Sequence, residues 1–500
     1  MESDETNDAT LMIPNPVTAN DIAEEPPPAS PAGEPRPLED GEVDVSSPAQ
    51  VDAGAAATAM AALWHLPIPH GLNFEASSGT AVVCESIQTF EGSSNSKTTG
   101  PRIFNNVVKA VRFSPDGTCL LTSSEDHILR VFEVPHHLVY DTPTSFSVTA
   151  AAAADPDSNR INSTVNASNG NEWQPCLACP EGETVYDQTW YPLMNARADP
   201  LTACFISSSR DHPIHLWDAF TGQIRASYRA YDHMDELASA HSLAFSPFGD
   251  KIFAGFERMV RVFDTATPGK DFDERPTRPT KRSRCGGQNG IISTICFSPQ
   301  DAATGMYVAG SFAGSMALYD YRMKGDALLS WPSPHNGQGI TTLRLSYDGR
   351  LLFSGARKND CVHCWDLRKG SLLSSFWRDA SSNQRLGIDL DPAGRYMATG
   401  CRKGGEEGKR GALVYDLSTG QEVGGLGLME DTVSDVSFHP YAGLVAAGMG
   451  ERHFDVEHED NEEDEMVVEK QKARRRSGVR LFQVPLAGAQ KGEVGEGEGE

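Results

Sequence analysis

Residues 206–222 read ISSSRDHPIHLWDAFTG, and this stretch decides the fold of the chain. A strand of small and apolar residues ends at a charged Arg-Asp turn, and a second strand of alternating polarity then ends on Trp-Asp before a Thr-Gly turn. The same order returns at 352–370 as LFSGARKNDCVHCWDLRKG and at 252–264 as IFAGFERMVRVFD. Short alternating segments bounded by turn residues are typical of half-buried β-strands. We therefore predict a chain built from repeated β-hairpins.

Two signatures repeat along the chain. The first is an apolar strand that ends in a Ser-Pro-like turn, with copies at Phe113-Ser114-Pro115, Trp190-Tyr191-Pro192, Phe245-Ser246-Pro247, Phe297-Ser298-Pro299, Leu345-Ser346-Tyr347, Leu390-Asp391-Pro392 and Phe438-His439-Pro440. The second is an alternating strand that ends on an aromatic residue, often followed by Asp, with copies at Phe132, Trp217-Asp218, Phe263-Asp264, Tyr319-Asp320, Trp365-Asp366, Tyr415-Asp416 and Phe482. Both signatures at a period near 45 residues match WD40 blades of four short strands.

Seven copies predict an all-β fold, a seven-bladed WD40 β-propeller. A blade buries its faces only against its neighbours, so the ring has to close. The strand around Thr80 to Thr89 precedes the first full copy, and we expect it to supply the outer strand of the last blade. Because side chains alternate along a strand, Trp217 and Trp365 are expected to point into the space between blades.

Composition separates the blades from the rest of the chain. We predict a disordered acidic and Pro-rich tail over 1–65 and a flexible Gly/Glu tail over 486–500. Between them we predict the propeller, over 71–485, with insertions at 141–180, 403–410 and 455–476. The formal net charge is −26, but the first 60 residues hold 13 acidic residues against Arg36 alone, and Asp455–Glu469 holds nine more. The blades are therefore close to neutral and have room for a basic face towards an anionic partner.

Other composition features indicate an intracellular protein. No apolar run reaches the roughly 18 residues of a membrane span. The acidic N-terminus lacks the basic flank of a signal peptide. The ten cysteines are scattered, which favours reduced thiols over a disulfide framework. We expect a monomeric propeller without a membrane contact.

Several stretches are more specific than a general WD40 pattern. They are PIHLWDAFTGQIRASYRAYDHMDE at 213–236, GIISTICFSP at 290–299, GARKNDCVHCWDLR at 355–368 and SSNQRLGIDLDPAGRYMATG at 381–400. These stretches resemble the telomerase Cajal body protein 1 family, and the resemblance runs from about Asn105 to Phe454 with gaps at the insertions. The chain departs from the family in its longer insertions and its tails.

The resemblance implies a function. That family binds the CAB box, a short loop motif of small Cajal-body RNA and of telomerase RNA. It brings the box H/ACA ribonucleoproteins to the nuclear Cajal body and works with the H/ACA proteins and with telomerase. We therefore expect a nuclear protein, in the Cajal body or nucleoplasm and in part in the cytoplasm, that needs no cofactor or metal.

The turns between the second and third strands of the blades are expected to share one rim of the ring. They are Glu125-Asp126, Arg210-Asp211, Glu257-Arg258, Phe312-Ala313, Arg357-Lys358, Arg402-Lys403 and Glu451-Arg452. Single-stranded RNA is held by cations on phosphate and by aromatic or guanidinium planes on bases. The predicted RNA-binding residues are Arg210, Arg258, Arg357, Lys358, Arg402, Lys403 and Arg452, with Tyr231, Phe256 and Phe312 as nearby planes. The alternative is that exposed turns simply carry solvated charge.

Other polar residues of these turns and loops are assigned different roles. Asp126, Asp211 and Asp360 are expected to fix the turns by accepting backbone N–H groups. A basic loop is expected between the third and fourth blades and holds Arg275, Arg278, Lys281, Arg282 and Arg284. This loop either touches RNA phosphate, acts as a nuclear import signal or is merely solvated. The better import signal is the run that holds Lys470, Lys472, Arg474, Arg475 and Arg476.

A second functional class stays open beside RNA binding. Trp365-Asp366-Leu367-Arg368 fits the W-D-x-R signature of propellers that serve as substrate receptors of cullin-type ubiquitin ligases. An enzyme is the least favoured class. Gly404 to Arg410 lacks the spacing and the Ser/Thr of a phosphate-binding loop, and the pairs Cys176/Cys179 and Cys361/Cys364 supply too few ligands for zinc.

Overall fold

In a computed structural model, the strands of this chain form seven four-stranded antiparallel sheets and one two-stranded hairpin within the part that the structure describes. That part comprises residues 72, 74, 81–87, 89–92, 102–140, 173–278, 287–298, 305–324, 326–402, 411–426, 431–451 and 477–484. From the second sheet to the seventh, the first strands of consecutive sheets contact each other, and the first strand of the seventh sheet contacts that of the first. The first and second sheets meet through the second strand of one and the first strand of the other. The predicted seven-bladed propeller is confirmed.

Three strands precede the first blade, and the next sixteen form blades 1 to 4 in sequence order. The leading strands are β1 (Ala81–Ile87), β2 (Thr89–Gly92) and β3 (Arg102–Asn105), of which β2 and β3 pair with each other. Blade 1 holds β4 (Val108–Phe113), β5 (Cys119–Ser124), β6 (Ile128–Glu133) and β7 (Leu177–Pro180). Blade 2 holds β8 (Val185–Trp190), β9 (Cys204–Ser209), β10 (Ile214–Asp218) and β11 (Ile224–Tyr228). Blade 3 holds β12 (Ser242–Phe245), β13 (Lys251–Phe256), β14 (Met259–Asp264) and β15 (Asp273–Pro276). Blade 4 holds β16 (Ile292–Phe297), β17 (Met306–Ser311), β18 (Met316–Asp320) and β19 (Leu329–Trp331).

The remaining strands form blades 5 to 7. Blade 5 holds β20 (Ile340–Leu345), β21 (Leu351–Ala356), β22 (Cys361–Asp366) and β23 (Ser371–Trp377). Blade 6 holds β24 (Ile388–Leu390), β25 (Tyr396–Gly400), β26 (Ala412–Asp416) and β27 (Glu422–Gly425). Blade 7 takes β28 (Val433–Phe438), β29 (Leu444–Met449) and β30 (Gly478–Gln483) from its own repeat.

The ring is closed by the strand expected to close it. β1 pairs antiparallel with β30, so that the start of the repeat region supplies the outer strand of blade 7. Glu85 on β1 also accepts a charged hydrogen bond of 2.8 Å from Arg480 Nε on β30. Because the two strands are almost 400 residues apart, blade 7 is complete only when the whole ring has assembled.

The apolar core of the propeller lies between the blades. Trp217 on β10 packs in one cluster with Leu121 and Leu129 of blade 1, and its Nε1 donates to Ser207 Oγ at 2.7 Å. Trp365 on β22 packs with Val308 of blade 4, and its Nε1 donates to Ser354 Oγ at 2.9 Å. Burying such large rings contributes about 2–3 kcal/mol each relative to exposure, and each indole N–H has found an acceptor.

Acidic side chains on three first strands link neighbouring blades. Asp187, Asp389 and Asp435 each accept the backbone N–H of the following blade's first strand, at 2.9, 2.9 and 3.0 Å. Asp435 also pairs with Arg112 at 2.7 Å. A cavity of about 430 Å³ is lined by Arg112 and Asp187 and by prolines of the Ser-Pro-like turns, namely Pro115, Pro192, Pro247, Pro392 and Pro440.

Some of the predicted boundaries fall on strands or outside the described residues. Residues 177–180, at the end of the insertion predicted over 141–180, form β7, the outer strand of blade 1. The tails 1–65 and 486–500 and the insertions 403–410 and 455–476 lie outside the described residues. In the part that is described, no helix is both long and apolar enough to cross a lipid bilayer.

Candidate functional site

Strand pairing defines two rims of the ring. In blade 2, Val185 at the start of the first strand pairs with Ser209 at the end of the second strand. The turns between second and third strands therefore share one rim with the linkers that precede the first strands, and the same pairing holds in blades 3 and 5. We call this end the upper rim. The Ser-Pro-like turns between first and second strands lie on the opposite end, the lower rim.

One guanidinium of the upper rim stacks on an aromatic ring between blades 4 and 5. The Arg357 guanidinium carbon lies 4.1 Å from the centre of the Phe312 ring. Partial burial lowers the pKa of Arg357. Its neighbour Lys358 is exposed, adopts a left-handed φ of 51°, and offers its carbonyl to Gln338 Nε2 at 3.0 Å. The ring and the turn geometry therefore hold two adjacent cations at the surface.

A crevice of about 510 Å³ opens on the upper rim between blades 2 and 3. Tyr186 from β8 and His241, which precedes β12, lie with ring centres 4.7 Å apart and an interplanar angle of 33°. Arg210 Nε donates to the Tyr186 hydroxyl at 3.3 Å, so the exposed guanidinium is held beside the rings. Burial lowers the pKa of His241 below its usual 6.5, so this ring is neutral at pH 7.

The wall of the crevice in blade 3 is made by a buried cation. The Arg261 guanidinium lies 4.8 Å from the Phe256 ring centre and 4.7 Å from the Phe272 ring centre. Arg261 is 6% exposed, and one of its terminal nitrogens is 3.5 Å from Glu274. Phe256 is itself buried, so it offers no free plane to a ligand. Tyr231, in the loop between the two blades, is exposed.

Other cations of the upper rim are paired with acids. Arg258 pairs with Glu257 at 3.0 Å, with 46% and 63% of the two side chains exposed. Arg402 lies 3.3 Å from Glu451 and donates to Ser381 Oγ at 2.9 Å. The exposed Arg258–Glu257 pair is worth about 0–1 kcal/mol, so an anionic ligand can exchange for Glu257 at little cost. Lys403 and Arg452 lie outside the described residues.

Comparison with known proteins gives a consistent picture. The WD40 model, described as WD domain, G-beta repeat, matches residues 85–133 and 328–366. Telomerase Cajal body protein 1 of Homo sapiens is 40% identical over 371 residues, which cover 72% of this chain and 60% of that protein. The protein of the same name in Mus musculus is 40% identical over 367 residues, covering 73% and 62%. The Drosophila melanogaster homolog is 32% identical over 351 residues, covering 69% and 57%.

The chain belongs to the telomerase Cajal body protein 1 family. The resemblance carried by the blade 2 to blade 6 sequences is thereby confirmed. The aligned part spans about 60% of the length of these family members.

Within this family member, the three turn aspartates differ in what they hold. Asp126 Oδ1 accepts from Ile128 N at 3.3 Å and the carboxylate also pairs with Arg130. Asp211 adopts a left-handed φ of 54°, and its N–H donates to Ser239 Oγ at 2.7 Å. Asp360 Oδ1 accepts from Ala380 N at 2.9 Å in the linker to blade 6. Its neighbour Asn359 instead closes the turn, by accepting from Cys361 N at 2.9 Å.

The aspartates that follow the blade tryptophans fix the lower turns. Asp218 Oδ1 accepts from the N–H groups of Phe220 and Thr221 at 2.7 and 2.9 Å, and Asp366 Oδ1 accepts from Arg368 N at 2.8 Å. These hydrogen bonds to the charged form hold the pKa of Asp218 and of Asp366 below the usual value despite the desolvation that opposes it.

The structure corrects the position of Arg275 and adds Tyr186 and His241 to the candidate site. Arg275 lies in the outer strand β15, with its guanidinium 5.2 Å from the Phe253 ring, and not in a free loop. Lys281, Arg282 and Arg284 lie outside the described residues. Tyr186 and His241 were missed because they come from a first strand and from a linker, not from the turns. The only signal in the sequence is that an aromatic residue stands at the upper end of each of these neighbouring segments.

Proposed function

We propose that this protein is a non-enzymatic RNA-binding scaffold that recognises the CAB-box loop of small Cajal-body RNA and telomerase RNA. In this role it directs assembly and localisation of H/ACA ribonucleoproteins and of telomerase in the nucleus. Family membership supports the proposal, because relatives that are about 40% identical carry telomerase and the Cajal body in their names. RNA binding, association with H/ACA partners and nuclear localisation are proposed here for this chain.

The observation that carries the proposal is the pairing of guanidinium groups with aromatic rings on the upper rim. Arg357 stacks on Phe312, and Arg210 is held by the hydroxyl of Tyr186. Unpaired RNA needs cations for phosphates and flat surfaces for bases within a few ångströms of each other. The two places lie at different blade interfaces, between blades 4 and 5 and between blades 2 and 3.

Charge reversal on the upper rim tests the proposal. The variant Arg357→Glu with Lys358→Glu places two carboxylates where two phosphate contacts are proposed. Each lost contact should reduce the slope of log affinity against log salt by roughly 0.7 for a single strand. We expect weaker binding of a CAB-box RNA hairpin, by at least about tenfold at low salt, and a flatter salt dependence.

The lower rim of the same blade offers a matched control. Arg350 and Lys369 are both exposed and lie in the lower turns of blade 5. Arg350→Glu with Lys369→Glu changes the net charge by the same amount as the test variant, so both share any loss from long-range electrostatics. Native affinity and slope in the upper-rim variant, with circular dichroism showing a folded protein, would remove blade 5 from the proposed site. Equal losses in both variants would show a nonspecific charge effect.

The alternative function, a substrate receptor of a cullin-type ubiquitin ligase, rests on a signature at the lower rim. Arg368 of the Trp-Asp-Leu-Arg signature lies in a lower-rim turn, with 69% of its side chain exposed. Purification of the tagged protein from cells distinguishes the two functions. Box H/ACA RNAs should copurify if the proposal is right. A cullin-type ligase adaptor without RNA would favour the alternative.

A further inference from the structure

The crevice between blades 2 and 3 is concave and aromatic, and its lining carries charges of both signs, Arg210 and Arg261 against Asp211, Asp232 and Glu257. Its floor is formed by the Tyr186 and His241 rings, and its edge by the Arg210 guanidinium. Both rings are half-buried, so each retains accessible surface. The volume of about 510 Å³ lies within the range of pockets that take small ligands or single nucleotides.

The acidic residues that line the crevice are already occupied. Asp232 Oδ1 accepts from the N–H groups of Met234 and Glu236 at 2.8 and 3.1 Å. Glu257 pairs with Arg258, and Ser239 Oγ donates to Asp211 at 3.4 Å. Their negative charge is therefore partly compensated, whereas the Arg210 side chain meets only a neutral phenol among its hydrogen-bond partners in the described structure. This balance favours a ligand that combines a neutral flat part with an anionic part.

The buried Arg261 forms part of the crevice wall and is paired with Glu274 at 3.5 Å. Its guanidinium lies between the Phe256 and Phe272 rings, and its Nε and Nη1 have no hydrogen-bond partner among the described residues. Glu274 and Asp232 compensate part of the Arg261 charge. Arg261 and Arg210 therefore offset the acids of the lining, and of these two arginines it is Arg210 that presents an exposed guanidinium to a ligand.

We propose that the crevice captures one unpaired nucleobase of the bound RNA, which stacks on the Tyr186 and His241 rings while Arg210 holds an adjoining phosphate. This inference rests on the proposed RNA-binding function and deepens it, because it gives one nucleotide a defined place between blades 2 and 3. A base is flat and neutral and its phosphate is anionic, which matches both halves of the crevice. Stacking on aromatic rings tolerates any base, so the crevice anchors the loop and leaves sequence readout to other contacts.

Fluorescence of 2-aminopurine tests the stacking directly. The probe is a CAB-box hairpin in which 2-aminopurine replaces each loop nucleotide in turn. Stacking on an aromatic side chain quenches this base, so we expect strong quenching at one loop position on binding of the full-length wild-type protein. The position needs no prior assignment, and the measurement needs no variant to fold.

Three variants separate the ring from the charge. Tyr186→Ala removes the larger ring of the platform and should strongly reduce the quenching and weaken binding by about 5- to 150-fold. Tyr186→Phe keeps the ring and removes the hydroxyl that anchors Arg210, so quenching should remain with a smaller loss of affinity. Arg210→Ala should keep the quenching and reduce the salt slope by roughly 0.7. Trp377→Ala is the matched control, because Trp377 is an exposed ring on the outer strand of blade 5 and should change neither readout.

The outcomes separate this inference from the proposed function. The base capture is wrong if no loop position is quenched and Tyr186→Ala binds the hairpin as tightly as Trp377→Ala. The RNA-binding function still stands in that case, provided that wild-type protein binds the hairpin and upper-rim charge reversal weakens the binding. Undiminished quenching in folded Tyr186→Ala also overturns the inference. Failure of the wild-type protein to bind the hairpin at all overturns both.

Discussion

His439 makes folding of the propeller dependent on pH in a way that can be worked out from its contacts. The residue follows β28 at the lower rim and is 1% exposed. Its Nδ1 accepts the N–H groups of Tyr441 and Ala442 at 3.0 and 2.8 Å, so the ring proton sits on Nε2, which donates to the Gly117 carbonyl of blade 1 at 2.9 Å. A second ring proton would remove both bonds to Nδ1. Burial lowers the pKa of His439 from 6.5 to about 4, although the Gly117 hydrogen bond and Asp116 act in the opposite direction.

The sign and size of the effect follow from linkage. Below pH 6.5 the unfolded chain takes up a proton at this histidine, whereas the folded chain does so only near pH 4. Stability is therefore complete above pH 6.5 and is lost as the pH falls towards 4. At about 1.4 kcal/mol per pH unit, the loss from this residue is about 2 kcal/mol at pH 5 and about 3 kcal/mol at the limit.

Urea unfolding followed by tryptophan fluorescence at pH 8 and pH 5 provides the assay. His439→Asn keeps an acceptor for the two N–H groups but cannot titrate, and it should be less stable at pH 8 by about 1 kcal/mol because the Gly117 hydrogen bond is lost. The wild-type protein should lose about 2 kcal/mol more than this variant between the two pH values. Other buried histidines, such as His335, titrate in both proteins, so only the difference is interpreted. Exposed His233→Asn should behave as wild type. Equal losses in wild type and His439→Asn would refute the reasoning.

Two further predictions concern the core and the segment that carries the import signal. Trp217→Ala should lower the free energy of unfolding by about 3–5 kcal/mol, because it empties the space between blades 1 and 2 and leaves Ser207 without its indole partner; a folded variant with an unchanged urea midpoint would contradict that packing. Deleting Lys470 to Arg476 should reduce nuclear accumulation of a fluorescent fusion, whereas deleting the equally long acidic segment 455–461 should not. An unchanged nuclear signal would move import to the basic residues between Arg278 and Arg284 or to a partner.

Local pattern was enough to determine the architecture. The aromatic residue at the end of each third strand, such as Phe132 or Trp217, set the register of its blade, since side chains alternate with a period of two. Counting these strands gave the number of blades. The strand around Thr80 to Thr89 was recognisable as the closing strand because it precedes the first full copy of the repeat, and the structure pairs it with β30.

Reasoning from local sequence located only part of the candidate site. The turns that hold Arg210 and Arg357 could be located, because a turn between two strands is defined by residues that are neighbours in sequence. The same reasoning could not identify which aromatic plane lies beside each cation. Phe256 was expected to offer a free plane, but Arg261, on the paired strand, covers it.

Tertiary structure alone decided which rings and charges meet across the blade interfaces. Tyr186 and His241 are 55 positions apart, and they touch because the twist of the ring brings the start of one first strand beside the next. Arg112 and Asp435 meet only because the ring closes between blades 7 and 1. The periodicity of a strand fixes the face on which a side chain lies, but contacts between blades depend on how far each sheet is rotated against its neighbour. That rotation is set by the packing of all seven interfaces together, and no single repeat of the sequence contains it.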